Sequence, residues 1–300
     1  MIRSYIKWAG GKARVMPELL EHLPAGDCLV EPFVGSGTVF LNTNYRRYIL
    51  GDINPDLINM HRVAMLRTDL FIDAARCMFE HGNNSAYFED IKNALNAQRH
   101  LPYFTPDITR AAQFLYLNRH GYNGLCRYSK KTGFNVPFGK FKNVYFPENE
   151  IRLFAEKARD TKAIFVCVPY NLTLKLSVEG GVVIYCDPPY LPLNDSSSFT
   201  QYHTAPFTEA DHRKLADMLR QAADLGARVV LSNSDTPLTR EIYHRFRLHE
   251  ISVARSVAAN GSRGEVGELI GTMNAQGLGC PSGGCGQCQD SAECLGISET

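Results

Sequence analysis

The sequence predicts an α/β fold: a mostly parallel, seven-stranded sheet covered by helices and interrupted by an inserted, mainly helical domain. Near both ends of the chain, short apolar runs of the length of buried parallel strands alternate with segments of helical apolar spacing. Residues 85–146 break this alternation with an aromatic and basic run that contains four glycines. With 300 residues, 44% of them hydrophobic and 21% charged, the chain has the composition of a folded globular protein rather than a disordered or coiled-coil one.

The first part of the chain, residues 1–84, is predicted to supply two strands and four helices. The strands are residues 28–30 and a run that ends near Leu50. The helices are residues 14–23, a segment beginning near Ser36, and residues 55–66 and 70–79. A glycine-bearing turn joins the first strand to the helix that follows it, an arrangement typical of ligand sites in α/β proteins.

The inserted domain, residues 85–146, is predicted to contain a helix over residues 109–118 and a hairpin turn over residues 129–133. Alternation of strands and helices resumes in residues 147–274, which should complete the sheet. The predicted strands of this last part are residues 164–168, 182–186, 227–231, 248–253 and 269–273, with a helix over residues 209–223.

Residues 275–300 form a tail rich in Gly, Ser and Cys, with too little apolar surface to offset the entropy of ordering it. We therefore expect this tail to be disordered and dispensable for activity. Its four cysteines could instead hold zinc, although only one pair has C-x2-C spacing, or an iron-sulfur cluster, although the fourth is too close. They are Cys280, Cys285, Cys288 and Cys294.

Charge is unevenly distributed along the chain, although its net charge is only +1. Residues 108–147 contain seven basic and no acidic residues, which leaves 25 basic and 31 acidic residues elsewhere. A concentrated basic segment on a mildly acidic body is the electrostatic footprint of a protein that binds a polyanion. The seven basic residues are Arg110, Arg119, Arg127, Lys130, Lys131, Lys140 and Lys142.

The sequence also predicts a cytoplasmic protein without a membrane partner. It has no apolar run of the ~18 residues that a membrane span requires. Lys7, Lys12 and Arg14 stand where a signal peptide would have its apolar segment. Five of the nine cysteines are scattered singly, as in proteins of a reducing compartment.

The first candidate motif, Glu31-Pro-Phe-Val-Gly35-Ser-Gly37, joins a strand to a helix, and Asp52 ends the next strand. Glycines let the backbone approach a ligand closely, and a carboxylate at that place can accept hydrogen bonds from ribose hydroxyls. Phe40 occupies the position of the third glycine of a G-x-G-x-x-G loop, so the pattern favours a nucleoside without phosphates. Taken alone, the motif also fits an ordinary tight turn.

The second candidate motif, Asp187-Pro188-Pro189-Tyr190, follows a strongly apolar run and should lie at the carboxyl end of a central strand. Two successive prolines make the chain extended and rigid there. The motif thereby aims a carboxylate, a proline carbonyl and an aromatic face at one place. That combination suits an amino group on a flat heterocycle, because two acceptors bind the N–H groups while the ring stacks on the base. A plain rigid turn is the alternative.

The third candidate lies within the basic segment and suits double-stranded DNA. Arg127 can donate two hydrogen bonds to guanine in the major groove, and Leu125 can contact a thymine methyl group. Tyr122 can stack in the gap left by a displaced base, and the lysines suit phosphates. A solvated hairpin with a small aromatic core is the alternative, which the lack of acidic residues across the segment disfavours.

Together with Lys7-Trp-Ala-Gly-Gly-Lys12, these motifs make the chain resemble the Dam-type DNA adenine methyltransferases, which modify GATC sites. The resemblance covers residues 6–269 in the family's order of segments, including Phe199-Thr-Gln-Tyr-His203 and Ser232-Asn-Ser-Asp-Thr236. It implies a Rossmann-like methyltransferase sheet with an inserted DNA-recognition domain and S-adenosylmethionine as the methyl donor. The methyl group would pass directly to the exocyclic amine of an adenine flipped out of duplex DNA.

The resemblance also implies roles for individual residues, none of which involves a metal. Lys7 would read the first guanine of the site. The catalytic residues would be Asp187, Pro188, Pro189 and Tyr190. The cofactor-binding residues would be Trp8, Lys12, Phe33, Gly35, Gly37, Asp52, Tyr170 and Asp187. The DNA-binding residues would be Lys7, Arg119, Tyr122, Asn123, Leu125, Arg127, Pro137, Lys140 and Lys142.

Two other functions are compatible with these motifs. An RNA or other amino-group methyltransferase could use the same Asp-Pro-Pro-Tyr turn, but it would not need a recognition hairpin for GATC. A catalytically silent DNA-binding regulator would keep the basic segment, whereas the presence of Lys12, Asp52 and Asp187 favours an enzyme. We expect a monomer that binds GATC-containing duplex DNA, with residues 191–208 forming a linker that orders on binding.

Overall fold

A computed structural model describes residues 1–98, 106–176, 181–190, 207–253 and 266–274. The strands of this described part are β1 (Cys28–Glu31), β2 (Arg47–Asp52), β3 (Tyr128–Ser129), β4 (Gly133–Phe134), β5 (Ile164–Cys167), β6 (Val182–Cys186), β7 (Arg228–Ser234), β8 (Arg247–Val253) and β9 (Val266–Met273). The helices are α1 (Met16–His22), α2 (Thr38–Asn42), α3 (Pro55–Leu66), α4 (Thr68–Glu80), α5 (Ser85–Ala97), α6 (Ile108–His120), α7 (Glu148–Asp160), α8 (Tyr170–Lys175), α9 (Glu209–Asp224) and α10 (Pro237–Ile242).

Seven of the strands form one sheet in the order β5-β2-β1-β6-β7-β9-β8. The first five are parallel, whereas β9 is antiparallel to both β7 and β8. The prediction of a mostly parallel, seven-stranded sheet is therefore confirmed. Every residue of β1 and β6 is buried, as expected for short apolar strands that are covered on both faces.

Several element boundaries differ from those that the apolar pattern predicts. β7 continues to Ser234 and β9 begins at Val266, because these polar ends pair with each other through backbone hydrogen bonds, with Ser234 opposite Glu268. The first two helices are shorter than predicted. A separate single turn, Lys12–Arg14, precedes α1, and Gly37 in a left-handed conformation delays the start of α2.

The carboxyl ends of the parallel strands meet at one edge of the sheet. β1 pairs with β2 on one side and with β6 on the other, so the chain order reverses at β1. Open α/β sheets bind ligands in the crevice outside such a reversal. Glu31 ends β1, Asp52 ends β2 and Asp187 follows β6, which brings the first two candidate motifs to the same edge.

The segment predicted as an inserted domain consists of α5, α6 and a hairpin formed by β3 and β4. The hairpin turn lies at the predicted position. The apolar side chains of α6 belong to the same hydrophobic core as those of α3 and α4, on which α6 packs. The helical part of the segment therefore shares its core with the helices beside the sheet, and the domain boundaries at residues 85 and 146 remain a prediction.

A buried ion pair joins α3 to α6 and to the hairpin. The Asp56 carboxylate accepts a hydrogen bond from Arg110 Nε at 2.6 Å, and the two side chains are 2% and 6% exposed. Tyr128 donates its hydroxyl to the second carboxylate oxygen at 2.6 Å. The charges are thus removed from water, but each has a partner, which is the condition under which a buried pair is tolerated.

Replacing Arg110 by alanine should lower the free energy of unfolding by about 3 to 5 kcal/mol, because the Asp56 carboxylate stays buried without the cation. Arg152→Ala is the matched control. Arg152 pairs with Asp69 and Glu148 on the surface, so its loss should cost about 1 kcal/mol or less. Urea unfolding of both variants provides the comparison, and equal losses would contradict the assigned importance of burial.

Candidate active site

A cavity of about 530 Å³ opens at the carboxyl edge of the sheet. The segment around Trp8 and Lys12 forms one wall, and the loop after β1 together with the end of β2 forms another. The Asp187-Pro188-Pro189-Tyr190 turn, the start of α8 and Phe207 complete it. Motifs that are far apart in the sequence therefore surround one space.

Gly35 lies directly beneath the indole of Trp8. Its φ is +48°, and a Cβ at this position would lie 2.9 Å from Trp8 Nε1. Only glycine fits this position, because any other residue would be strained at this φ and its Cβ would displace the indole. Gly37 also has a positive φ, but it lies outside the cavity wall, where a Cβ would meet Phe154 at 3.0 Å. Its role is therefore to begin α2, and the cofactor-binding role predicted for it has no support from the cavity lining.

Asp52 faces the cavity from the end of β2. Its carboxylate accepts backbone hydrogen bonds from Gly35 at 3.2 Å and from Asn54 at 2.9 Å. Burial raises the pKa of Asp52 to about 6, and the backbone donors oppose that rise. At neutral pH the group is therefore an acceptor held in a fixed position, as a ribose-binding carboxylate would need to be.

Three aromatic rings form one side of the cavity. Phe33 stacks on Tyr170 with a centroid distance of 5.5 Å, and Phe207 meets both rings edge-on at 5.7 and 5.5 Å. Phe33 and Tyr170 are predicted cofactor residues. Phe207 is an addition that the sequence does not signal, because it lies within the predicted linker and belongs to no motif.

The carboxylate of Asp187 is anchored through one of its two oxygens. Oδ1 lies 2.8 Å from Lys12 Nζ and accepts a hydrogen bond from Ser232 Oγ at 3.0 Å, and Ser232 is itself bonded to the Tyr185 hydroxyl at 2.8 Å. Within the described part of the chain, no group donates to Oδ2. Burial raises the pKa of Asp187, while the Lys12 ammonium opposes this shift.

The two prolines of the turn differ in their carbonyl partners. The Pro189 carbonyl lies 3.0 Å from His212 Nε2, and the other ring nitrogen of His212 lies 2.9 Å from the Tyr243 hydroxyl. Burial lowers the pKa of His212 to about 4, so at neutral pH the ring is uncharged and fixes the turn by hydrogen bonds. No donor from the described residues reaches the Pro188 carbonyl, which leaves it available as an acceptor.

Lys12 connects the turn to β9 through a single atom. Its Nζ lies 2.8 Å from Asp187 and 3.1 Å from Glu268, and it donates a hydrogen bond to the Tyr190 hydroxyl at 2.6 Å. Tyr190 in turn donates to Glu268 at 2.6 Å. Burial lowers the pKa of Lys12, but the two carboxylates more than offset this, so the net shift is upward. Glu268 is a site residue that sequence reasoning misses, because it precedes the predicted final strand.

Glu31 is a buried carboxyl group in the cavity wall, with an Oε1 that has no hydrogen-bond partner among the described residues. Burial, with a contribution from Asp187, raises the pKa of Glu31 to about 8, and Lys157 opposes the rise. The group is therefore mostly protonated at neutral pH. The sequence places Glu31 in a motif but gives it no role of its own.

The predicted DNA-binding residues lie on a surface next to the Trp8 wall. Asn118 binds both backbone groups of Lys7, at 2.9 and 2.7 Å, and Gly124 packs directly against the Lys7 side chain. The exposed members of the set are Tyr122, Asn123, Pro137, Lys140 and Lys142, while Lys7, Leu125, Arg119 and Arg127 are half-buried.

All three half-buried cations already have protein partners, and Lys7 donates from Nζ to the Arg119 carbonyl at 3.3 Å. Arg127 donates from Nε to the Asn135 side chain at 2.8 Å and from a terminal nitrogen to the Asn135 carbonyl at 3.0 Å. Arg119 donates to the Tyr145 carbonyl at 3.0 Å and lies 5.5 Å from the Tyr145 ring. Burial lowers the pKa of Arg119. The sequence predicts Arg119 and Arg127 as DNA-binding residues, and in the structure each uses only part of its guanidinium for these protein partners.

Other predictions fall partly or wholly outside the described residues. The cysteine-rich tail and the segment from Phe199 to His203 lie wholly outside them. Of the linker at residues 191–208, only Phe207 and Thr208 are described. Within the described ranges, no cluster of three or more His, Cys, Asp or Glu side chains could hold a metal ion. No helix in the same ranges has the length and apolar character needed to cross a membrane.

Comparison with known proteins gives a consistent result. Residues 8–257 match the family described as D12 class N6 adenine-specific DNA methyltransferase. The chain is 48% identical to the DNA adenine methylase of Serratia marcescens over 271 residues, which are 89% of this chain and 97% of that protein. It is 46% identical to the DNA adenine methylase of Escherichia coli K12 over 270 residues, 89% of this chain and 94% of the relative. The Vibrio cholerae enzyme of the same name is 43% identical over 89% of this chain and 95% of its own length.

The raised pKa of Glu31 predicts a pH-dependent stability. Folded Glu31 keeps its proton up to about pH 8, whereas the ordinary pKa is 4.5. Between these values the folded state holds the extra proton, so this group makes the free energy of unfolding fall as pH rises, by up to about 1.4 kcal/mol per pH unit. Glu31→Gln should remove that slope, so that the variant gains stability relative to the parent protein from pH 5 to 8.

Urea unfolding of both proteins at unit steps of pH measures this difference. Three buried histidines with pKa values lowered to about 4 contribute the opposite slope below their ordinary pKa, but both proteins contain them and their effect cancels. They are His61, His120 and His212. A stability difference that stays constant with pH would mean that Glu31 ionises normally.

Proposed function

The chain belongs to the D12 class of N6 adenine-specific DNA methyltransferases, and from that premise we propose that it methylates adenine in GATC duplexes. The donor in this proposal is S-adenosylmethionine, and the target base is flipped into the cavity. A monomer suffices, because the residues assigned to donor, base and DNA all come from one chain. The D12 family and the relatives' names favour DNA over RNA as the substrate.

The observation that carries the proposal is the pair of available acceptors at the end of β6. The exocyclic amine of adenine is a poor nucleophile, because its lone pair is delocalised into the ring. Asp187 Oδ2 and the Pro188 carbonyl can each accept one of its N–H groups, while Oδ1 is held by Lys12 and Ser232. Such bonds favour a pyramidal nitrogen with its lone pair free to attack, which is stabilisation of the transition state by placed acceptors.

The cavity suits S-adenosylmethionine in its charge and in its shape. The described residues of its wall include four carboxyl groups, of which Glu31 is mostly protonated, and a single ammonium group, Lys12. This balance of charge favours a cationic ligand. The absence of a side chain at Gly35 lets the Trp8 indole pack against the loop after β1, where it forms part of the cavity wall. When bound, the donor supplies an electrophilic methyl group. We assign its ribose to Asp52 and its adenine ring to the side formed by Phe33 and Tyr170.

We further propose that the exposed surface beside Lys7 binds the duplex. Lys140 and Lys142 would contact phosphates, while Lys7, Leu125 and Arg127 would reach base edges. Arg127 could do so while it remains bonded to Asn135, because Nε and one terminal nitrogen use only one edge of the guanidinium. Tyr122, which is 52% exposed, would fill the gap left by the flipped adenine, whose extrusion costs a few kcal/mol.

Expression in a methylation-deficient host should make the host DNA resistant to an endonuclease that cuts only unmethylated GATC. Asp187→Asn should abolish or delay this protection. An amide at this position keeps the size but loses charge and can present a donor to the amine, so single-turnover methylation should slow by about 10² to 10³, or roughly 3 to 4 kcal/mol. Affinity for a GATC duplex should change much less, because the proposed phosphate and groove contacts lie on the surface beside Lys7 and not at Asp187.

Loss of DNA affinity together with methylation in Asp187→Asn would indicate a structural role for the carboxylate. Methylation by the variant at the parent rate would reject the acceptor assignment. Host DNA that is still cut at GATC but carries methyladenine elsewhere would reject GATC as the recognition sequence. It would leave the assignment of an adenine-specific activity intact.

Arg127→Ala should relax specificity at one base pair by about 1 to 3 kcal/mol, because the guanidinium matches the two major-groove acceptors of guanine. Lys140→Ala is the control for a phosphate contact. It should weaken binding to all duplexes about equally and lower the slope of log affinity against log salt by about one unit. Methylation rates on GATC and on single-base variants measure both effects. A parallel fall on all sites for Arg127→Ala would exclude direct readout by this residue.

A further inference from the structure

The contact between Lys12 and Glu268 changes the net charge of the candidate active site. Lys12 and Asp187 alone would form a neutral pair with Nζ 2.8 Å from the carboxylate. Glu268 adds a second carboxylate 3.1 Å from the same Nζ, and its side chain is only 15% exposed. One ammonium between two carboxylates leaves a net charge of about −1 in a largely buried cluster, where charges are weakly screened.

Glu268 is held in this position by Tyr190. The tyrosine hydroxyl accepts a hydrogen bond from Lys12 Nζ and donates one to Glu268 Oε1, both at 2.6 Å. The strand β9 therefore reaches the catalytic turn through a charged network rather than through apolar packing. Lys12 and one carboxylate would be electrically neutral, whereas the second carboxylate leaves a buried negative charge without a counter-charge. Such a charge is costly, so it indicates either a function or a cationic ligand.

The proposed reaction changes the charge of the ligand that occupies the cavity. Methyl transfer forms a bond from carbon to the adenine nitrogen and breaks the carbon–sulfur bond, whose electron pair stays on sulfur. One amine proton is released to solvent. The sulfonium of the donor thereby becomes a neutral thioether in S-adenosylhomocysteine, while the ammonium and carboxylate of the amino-acid part are the same before and after.

We propose that Glu268 is a charge-balancing residue that makes the site prefer the sulfonium donor to its neutral product. This inference rests on the proposed donor. Without Glu268, Lys12 would neutralise Asp187 and this cluster would lose its excess negative charge. With Glu268, the cluster attracts the extra positive charge of the donor and favours release of the product after transfer. Glu268 acts through Lys12 and need not touch the reacting atoms.

The test compares dissociation constants measured by calorimetry for three ligands that differ at one position. S-adenosylmethionine carries a sulfonium, sinefungin carries an ammonium in its place, and S-adenosylhomocysteine is neutral. Glu268→Gln should lower the preference for each cationic ligand over S-adenosylhomocysteine by about tenfold, as expected for loss of one charge in a medium of intermediate dielectric. Glu268→Ala is a second charge-removing variant and should do the same.

Two matched variants separate charge from structure. Glu268→Asp keeps the charge and should retain most of the preference. Glu250→Gln removes an equivalent charge on the neighbouring strand β8, where Glu250 pairs with Arg240 at the surface, and should leave the preference unchanged. Thermal unfolding of each variant checks the fold.

An equal loss of affinity for all three ligands in Glu268→Gln and Glu268→Ala would overturn the inference, since this is the pattern of a purely structural role. Failure of the parent protein to bind S-adenosylmethionine would instead overturn the proposed donor, and the inference with it. A preference that falls only when charge is removed supports the assignment of Glu268.

Discussion

A buried ammonium group, Nζ of Lys12, is the point at which distant parts of the chain are held together. It joins the segment after Trp8 to the turn after β6 through Asp187, and to the antiparallel edge of the sheet through Glu268. A cation removed from water is tolerated only with good partners, so folding must bring both carboxylates to this atom. The wall of the cavity that contains Trp8 is fixed over the sheet as a consequence.

A second polar connection begins at the end of β2 and leads away from the cavity. Asp52 accepts a hydrogen bond from Asn54, whose side chain caps α3 and also contacts the Cys126 thiol at 3.6 Å. Asp56, in the first turn of α3, binds Arg110 and Tyr128. The carboxylate assigned to the ribose and the hairpin assigned to DNA are therefore fixed by the same first turn of one helix. Displacement of either one would therefore break hydrogen bonds at the start of α3.

The sequence is informative where a functional residue is adjacent to a buried strand. Asp52 and the turn beginning at Asp187 follow apolar runs, and the rules of parallel sheets place such residues at one edge. Glu268 and His212 could not be found in this way. Glu268 belongs to an antiparallel strand whose polar end is stabilised by pairing, and His212 lies on a helix with an ordinary amphipathic pattern. Their roles arise from contacts between elements, which periodicity does not encode.

Asn135 affects how Arg127 could meet a base. Its side chain and its carbonyl accept hydrogen bonds from Nε and from one terminal nitrogen of Arg127, which together form one edge of the guanidinium. Neither bond uses the edge formed by the two terminal nitrogens, and that edge has the fork geometry that fits the two major-groove acceptors of guanine. Because Asn135 already fixes the plane of the guanidinium, the proposed contact with guanine would cost less side-chain entropy than a contact from an unbound arginine. The partner of Arg127 would therefore orient this residue for readout rather than compete with the base.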